Sequence, residues 1–216
     1  MNARSIRALQ EMAARHPALT PCRADIDRAC GLLVETFRSG GTLLVCGNGG
    51  SAADADHIAG ELAKSFLLRR PPDAAFAAGI REGLPGPDPA CLLDLTEALP
   101  AISLAAHGAL ITAVANDLGG ELIFAQQVMA YGRPGDVLLG LTTSGSSTNV
   151  VRAFQTARLR GLRSICLTGR RAPGWLAELA DIVIAVPAAD TASVQELHLP
   201  VYHALCAVVE SELYAE

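Results

Sequence analysis

Residues 42–66 read TLLVCGNGGSAADADHIAGELAKSF and place a strand, a glycine-rich turn and a helix in immediate succession. The apolar run Leu43–Cys46 is short and continuous, as in a strand that a parallel sheet covers on both faces. Three glycines and Ser51 then open a helix predicted over Ala52–Phe66. Because such a turn leaves helix amides free at the carboxyl end of a strand, it is typical of a loop that binds an anion.

The same alternation of strand and helix continues along the chain. Further apolar strands are predicted at Ala101–Leu104, Val137–Leu141, Ser164–Thr168 and Ile182–Val186. Helices are predicted at His107–Ala115, Glu121–Tyr131, Asn149–Arg160, Trp175–Leu179 and Ser193–Tyr214. This order indicates an α/β fold with a single doubly wound, parallel, five-stranded sheet flanked by helices, a flavodoxin-like arrangement of three layers. Ligands of such sheets bind beyond the carboxyl ends of the strands.

Two segments lie outside this alternation, although residues 1–216 are expected to form a single domain. Residues 1–38 are predicted to form a helical hairpin, which has few obvious partners within the domain and is therefore expected to pack in an oligomer. Residues 71–100 contain six prolines. They are interpreted as an inserted excursion with a short helix near Cys91–Leu99.

The composition excludes several classes of protein. The net charge is −5, and no basic run exceeds the pair Arg69-Arg70, so neither a nucleic acid nor a membrane is expected as a partner. The six cysteines form no CxxC pair and lie mostly in apolar runs, which favours buried, reduced thiols. The uncharged span Ala98–Asn116 is interrupted by Pro100, and no signal peptide is visible. We therefore expect a soluble, cytoplasmic protein.

A second loop resembles the first in its placement after a strand and before a helix. Residues 141–149 read LTTSGSSTN, and four of their hydroxyls belong to Thr142, Thr143, Ser144 and Ser147. Such clusters are also ordinary helix caps, but two of them at equivalent positions of one sheet favour a phosphate site. No lysine follows as in a nucleotide-binding P-loop, and no nucleotide cofactor is expected.

Titratable side chains follow on two of the predicted helices. His57 and Glu61 share a helix face beneath the glycine-rich turn, where a solvated surface pair is the alternative. Gln195 and His203 are eight residues apart on the last helix, so both can border one cleft. The alternative for His198 and His203 is a role in an amphipathic helix, with both rings satisfied by hydrogen bonds.

These residues suit the interconversion of an aldose and a ketose phosphate. That reaction moves a proton between C1 and C2 and needs a base, an acid partner and an anchor for the remote phosphate. Glu61 and His203 are candidates for the acid–base pair. Together with His57 and Gln195, they are also a plausible set of N and O ligands for a divalent metal.

Several motifs resemble a known family in the same order. They are CGNGGSAADADHIAGEL (46–62), AND (115–117), GRPGDVLLGLTTSGSSTNV (132–150), LTG (167–169) and VQELHLPVYH (194–203). They are similar to those of the sugar isomerase (SIS) domain family, and most of all to its phosphoheptose isomerases. The resemblance covers nearly the whole chain apart from about residues 73–98.

The resemblance implies a role for each matching position. It implies that the substrate phosphate binds to Thr142, Thr143, Ser144 and Ser147. It implies that the sugar lies among Asn48, Gly49, Ser51, Asn116, Asp117 and Gln195. Glu61 matches the catalytic base and His203 its acid–base partner, while zinc, where present, is held by His57, Glu61, Gln195 and His203. The resemblance also implies a homotetramer with sedoheptulose 7-phosphate as the substrate.

The sequence also leaves other functions open. A non-catalytic branch of the family, which associates with a replication initiator, has Ser and Asn at the positions of Glu61 and His203. A phosphosugar sensor, an isomerase of another sugar phosphate, and a deaminase or transferase half are further alternatives. The long excursion, Ser193 in place of a frequent arginine, and Lys64-Ser65 where an arginine is also frequent distinguish this sequence from common phosphoheptose isomerases.

Overall fold

The computed structural model describes residues 1–215, which are built around one sheet of five parallel strands. The strands are β1 (Leu43–Cys46), β2 (Ala101–Ser103), β3 (Val137–Thr142), β4 (Arg163–Gly169) and β5 (Ile182–Val186). They lie in the order β2-β1-β3-β4-β5, and every neighbouring pair is parallel. The predicted doubly wound α/β sheet is therefore confirmed, and the ends of each strand lie within one residue of the prediction.

Helices cover both faces of this sheet. They are α1 (Ala3–Arg15), α2 (Arg23–Arg38), α3 (Gly50–Ala63), α4 (Ala74–Glu82), α5 (Gly108–Asp117), α6 (Ile123–Tyr131), α7 (Thr148–Leu159), α8 (Leu176–Leu179) and α9 (Thr191–Tyr214). Short 3-10 turns occupy Pro17–Cys22, Ala90–Asp94 and Gly120–Leu122. In residues 1–215, no helix combines the length and the apolar composition that crossing a membrane requires.

Two apolar layers join the helices to the sheet. On one face, strand residues such as Leu43 and Leu139 pack with α1, α2, α3 and α9. On the other face, their neighbours Leu44 and Leu138 pack with α6, α7 and α8. Successive residues of a strand thus enter opposite layers, which explains why these strands are continuously apolar. All six cysteines are free thiols, and five of them are buried, as predicted.

The N-terminal helices belong to the first of these layers. Leu9 of α1 and both Ile26 and Leu33 of α2 are buried in it. In addition, the side chain of Asn2 donates a 2.8 Å hydrogen bond to the backbone of Ser211 on α9. The expectation that residues 1–38 have few partners within the domain is therefore wrong. Their packing in an oligomer stays a prediction.

The excursion at residues 71–100 contains more helix than predicted. A 3-10 turn stands at Ala90–Asp94, where a helix was expected near Cys91–Leu99, and α4 comes in addition. No residue of α4 or of the 3-10 turn is buried. Pro71 and Pro72 precede α4, Gly79 lies within it and Gly83 follows it, so the sequence of this short helix is typical of a loop.

Candidate functional site

The two predicted ligand loops meet at the carboxyl ends of β1 and β3. We call them the glycine-rich loop (Cys46–Ser51) and the Ser/Thr loop (Leu141–Asn149). β1 and β3 are adjacent, and the chain leaves β1 for β2 on one side before it returns to β3 on the other. Ligands of doubly wound sheets bind at this switch point. The side chains of Asn48 and Asn149 join the loops through two reciprocal hydrogen bonds of 2.8 Å.

The Ser/Thr loop presents hydroxyl groups at the start of α7. Thr142 Oγ1 lies 3.1 Å from Ser147 Oγ, and Ser144 Oγ accepts hydrogen bonds from the backbone and hydroxyl of Ser146 at 3.2 and 3.0 Å. Thr143 is half-buried beside them. Within the described chain, the N-cap residue Ser147 makes no side-chain bond to the helix. Of the first three amides of α7, that of Val150 donates to Asn149 Oδ1 at 2.9 Å, whereas those of Thr148 and Asn149 remain available for an anion in the described chain.

The glycine-rich loop opens α3 in the same way. Gly49 is the N-cap of α3 and has φ of +57°, a conformation that favours glycine. Ser51 follows it and is buried. Gly50 lies against the side chain of Gln195, and a Cβ atom at Gly50 would stand 2.5 Å from Gln195 Nε2. Gln195 thus reaches from α9 to the amino end of α3, where the absence of a side chain makes room for it.

Two turns further along α3, polar side chains form one chain of hydrogen bonds. Tyr202 Oη donates to Asp54 Oδ1 at 3.1 Å and lies 3.0 Å from His57 Nδ1. His57 Nε2 lies 3.1 Å from Glu61 Oε1, and Lys64 donates to Glu61 Oε2 at 3.0 Å. Both ring nitrogens of His57 and both carboxylate oxygens of Glu61 are therefore engaged. The predicted pairing of His57 with Glu61 is present, with three further residues attached to it.

The surroundings of Glu61 keep its carboxylate charged. Partial burial raises the pKa of Glu61, but the hydrogen bond and charge of Lys64, joined by those of His57, outweigh burial. The net result is a pKa below the ordinary value for a glutamate. Glu61 is therefore ionised at neutral pH, which is the state in which a carboxylate accepts a proton.

His203 lies beside this chain of hydrogen bonds. Its ring centroid is 5.0 Å from that of His57, in an edge-to-face arrangement, and 5.5 Å from that of Phe66. Burial lowers the pKa of His203, the charge of His57 lowers it further, and the carboxylates of Glu61 and Asp54 oppose this. Among the described residues, His203 Nε2 is buried without a hydrogen-bond partner. His203 is thus a neutral imidazole at pH 7 that can both give and take a proton.

Asn116 and Asp117 lie at the exposed end of α5. Asn116 Nδ2 donates to Asp117 Oδ1 at 2.8 Å, and neither side chain bonds to the two loops in residues 1–215. Just after them, Glu121 pairs with Arg152 of α7 at 3.6 Å. This ion pair places the segment beside the helix that the Ser/Thr loop opens, and the role of the two residues in sugar binding stays a prediction.

The four predicted zinc ligands are only partly brought together. His57 contacts both Glu61 and His203, but Gln195 lies at Gly50, about 10 Å away along α3 at 1.5 Å per residue. In the described part of the chain, no group of three or more His, Cys, Asp and Glu side chains is arranged to hold a metal ion. The donor types suit zinc. The four side chains do not surround a common point, because Gln195 lies at Gly50, away from the other three.

His198 departs from the expectation of a satisfied ring. It is fully buried, and neither ring nitrogen makes a well-aligned hydrogen bond within residues 1–215. Burial lowers the pKa of His198 to about 4, and a weak hydrogen bond with the backbone of Thr168 opposes this shift. Thr168 Oγ1 is also buried without a partner in the described residues. His198 is therefore a neutral core residue between α9 and β4.

Comparison with known proteins identifies the family to which this fold and site belong. The family description "SIS domain" matches residues 9–82 and 93–169. The chain belongs to the SIS domain family. The unmatched residues 83–92 lie within the excursion, so the match extends through α4.

Proteins similar to this SIS-domain chain are named phosphoheptose isomerase. One from Akkermansia muciniphila is 38% identical over 197 residues, which cover 91% of this chain and 90% of the relative. Another from Pelobacter propionicus is 41% identical over 212 residues, which cover 98% and 95%. The solved structure of the phosphoheptose isomerase from Neisseria gonorrhoeae matches with a TM-score of 0.70 and 34% identity, covering 97% of this chain and 94% of that one.

Several residues of this SIS-domain site were not singled out from the sequence. Asp54, Tyr202 and Phe66 surround His57 and His203, and Asn149 joins the two loops. A signal existed for Asp54, which precedes His57 by three residues and so lies on the same helix face. None existed for the contact between Tyr202 and His57, because it joins two elements 145 residues apart.

Proposed function

We propose that this SIS-domain protein is a phosphoheptose isomerase. It interconverts sedoheptulose 7-phosphate and D-glycero-manno-heptose 7-phosphate, an aldose–ketose pair. The observation that carries this proposal is the pairing of an ionised carboxylate, Glu61, with a neutral imidazole, His203, on either side of His57. The similarity to phosphoheptose isomerases over nearly the full length of the chain supports the choice of a heptose phosphate.

The open amino end of α7 supplies the anchor for the phosphate. Free amides and the hydroxyls of Thr142, Thr143, Ser144 and Ser147 suit a phosphate group, which needs donors and a favourable helix dipole. Asn48, Gly49, Ser51, Asn116, Asp117 and Gln195 are proposed to contact the sugar. Binding energy from the remote phosphate then holds C1 and C2 of the substrate at the acid–base pair.

Proton transfer needs only the two titratable groups. Glu61 removes a proton from C1 of the ketose, which leaves a 1,2-enediolate, and then returns a proton to C2 to give the aldose. His203 moves the hydroxyl proton between O1 and O2 in the same interval, as a neutral imidazole can. No atom is gained or lost, so the reaction needs no oxidant or co-substrate.

Zinc and a homotetramer are further parts of this proposal. His57, Glu61, Gln195 and His203 would hold zinc, which as a Lewis acid polarises a bound carbonyl or hydroxyl oxygen. Gathering these ligands requires His57 and Glu61 to exchange their mutual hydrogen bond for the metal. We also propose that the protein acts in the cytoplasm.

The proposal is tested by NMR of the purified protein with sedoheptulose 7-phosphate in deuterated water, with and without added zinc. We expect an aldoheptose 7-phosphate that carries solvent deuterium at C2. Binding of the sugar phosphate without product or exchange would instead indicate a phosphosugar-binding protein. Deuterium exchange with a different ketose phosphate would support an aldose–ketose isomerase but reject a heptose phosphate as its substrate.

The assigned base is tested by Glu61→Gln, which keeps the size of the side chain and removes its basicity. Loss of a general base lowers turnover by about 10³-fold. Circular dichroism and the thermal midpoint monitor folding, which is expected to persist because Glu61 lies on the site and not in the core. Turnover within about tenfold of the unchanged protein would contradict the role of Glu61.

A further inference from the structure

A buried ion pair lies directly beyond the catalytic end of α3. Arg70 Nε is 3.2 Å from Glu210 Oε1, and the two side chains are 0% and 2% exposed. Neither residue belongs to the loops or to the chain of hydrogen bonds around His57. A buried pair of this kind is weak evidence for stability, because apolar residues of similar volume often serve the fold equally well. Its contacts with the end of α3 indicate another role.

Glu210 holds the segment that leaves α3. Its carboxylate accepts hydrogen bonds from the backbone of Phe66 at 2.8 Å, Leu67 at 2.6 Å and Leu68 at 2.9 Å. Three successive amides are thus fixed to one side chain of α9. Phe66 is the first of these three residues, and its ring packs against the ring of His203.

Arg70 holds the end of α3 itself. Its guanidinium donates to the carbonyl oxygens of Leu62 at 3.1 Å and Glu61 at 3.3 Å, and also to that of Lys64. Carbonyls in the last turn of a helix have no partner within the helix, so Arg70 supplies one from outside. Two of these three carbonyls belong to the residues whose side chains form the Glu61–Lys64 pair.

We propose that Arg70 and Glu210 are positioning residues for the catalytic pair. The ion pair connects the backbone of Glu61 on one side with Phe66, and through it His203, on the other. Arginine is required because its planar fork reaches several carbonyls and a carboxylate at once, which a lysine ammonium does not. This inference rests on the proposed isomerase function.

The test compares Arg70→Lys with Arg163→Lys in the full-length protein. Arg163 also pairs with a carboxylate, that of Asp181 at 2.9 Å, but at the amino end of β4 and therefore on the opposite edge of the sheet. We expect Arg70→Lys to lower kcat by about tenfold to hundredfold with little change in KM, since small misplacement of reacting groups costs that much. Arg163→Lys is expected to leave both unchanged.

A folded Arg70→Lys variant with kcat within about twofold of the unchanged protein would overturn the proposal. If this variant does not fold, the same measurement is made on Phe66→Leu. This substitution removes the ring that packs against His203 and leaves no buried charge. A fall in kcat then supports the proposal, and an unchanged kcat rejects it.

A readout without substrate separates this inference from the proposed function. The ring-proton NMR signals of His203 are expected to shift in Arg70→Lys and to stay in place in Arg163→Lys. If the unchanged protein proves inactive on sedoheptulose 7-phosphate, the isomerase proposal fails, while this shift still supports the positioning role. Unshifted His203 signals would reject that role whatever the substrate.

Discussion

Single residues of the site are held in complementary protonation states by their immediate neighbours. Lys64 and His57 keep Glu61 charged, whereas burial and the charge of His57 keep His203 neutral. A base and an acid–base partner thus coexist near neutral pH without any group of unusual chemistry. Lys64 is the only lysine in the sequence, and it lies at the one carboxylate that the proposed reaction uses as a base.

Removing this lysine is expected to change the pH dependence of turnover. In Lys64→Met, the pKa of Glu61 rises, because the hydrogen bond and charge that lower it are lost. The base acts in its ionised form, so the acidic limb of kcat/KM moves to higher pH. Rates measured from pH 4 to pH 9 check this, with Arg23→Met as a control for loss of a half-buried cation that pairs with Asp27. An unmoved acidic limb would contradict the role of Lys64.

His198 is expected to make folding stability depend on pH. Its pKa is 6.5 when unfolded and about 4 when folded, so protons bind preferentially to the unfolded chain in between. Stability is therefore complete above pH 6.5 and falls as the pH drops towards 4, by about 3 kcal/mol at about 1.4 kcal/mol per pKa unit. Urea unfolding of His198→Leu is expected to show a smaller fall by that amount. Parallel curves for the two proteins would contradict this.

At the scale of elements, the strands were predictable and the contacts between helices were not. β1 and β5 lie where their apolar runs predict. A strand covered on both faces is apolar at nearly every position, so its ends are visible in the sequence. The sequence does not reveal α4, because prolines precede this nine-residue helix and glycines lie within it and after it. Nor does the sequence reveal that the His198 ring lacks a well-aligned hydrogen bond, because a helix pattern shows which side is buried and not which polar atoms meet there.

The junction of α3 with α9 depends on a glycine. A Cβ atom at Gly50 would stand 2.5 Å from Gln195 Nε2, whereas one at Gly60 in the same helix would meet nothing within 4 Å. Gly50→Ala is therefore expected to displace Gln195 and to raise KM for the sugar phosphate by about tenfold, equivalent to about 1.4 kcal/mol of binding. Gly60→Ala is the matched control and is expected to raise stability by about 0.5–1 kcal/mol. Equal KM values for the two variants would contradict the role assigned to Gln195.

The excursion is expected to be dispensable for folding. It is closed at its base by hydrogen bonds from Glu97 to the backbone of Arg70 at 2.7 Å and from Ser65 to Thr96 at 3.3 Å. Replacing residues 74–95 with a short Gly/Ser linker keeps both bonds and removes no buried residue. We expect the free energy of unfolding to change by less than about 1 kcal/mol, as for other surface changes. A larger loss in urea unfolding would show that the excursion supports the core.

At the scale of the whole molecule, one edge of the sheet remains incompletely covered in the single chain. Only Val114 of the ten residues of α5 is buried, although the helix reads GALITAVAND. Ile102 on the edge strand β2 is 39% exposed, and Leu118 after α5 is 54% exposed. Neighbouring apolar exposure of this kind marks a surface that another protein covers. The proposed homotetramer supplies such a cover from a second copy of the same chain.

A charge on this surface is therefore expected to break the assembly without unfolding the chain. Ala113 is exposed on α5, so Ala113→Glu places a carboxylate there with no cost inside the single chain. In a tetramer, the same carboxylate would be buried without a partner, which is strongly unfavourable. Light scattering is expected to give four chain masses for the unchanged protein and a smaller assembly for Ala113→Glu. Leu159→Glu, at a residue of α7 that is 88% exposed, is expected to keep the tetramer. A tetramer in all three proteins would show that α5 lies outside the interface.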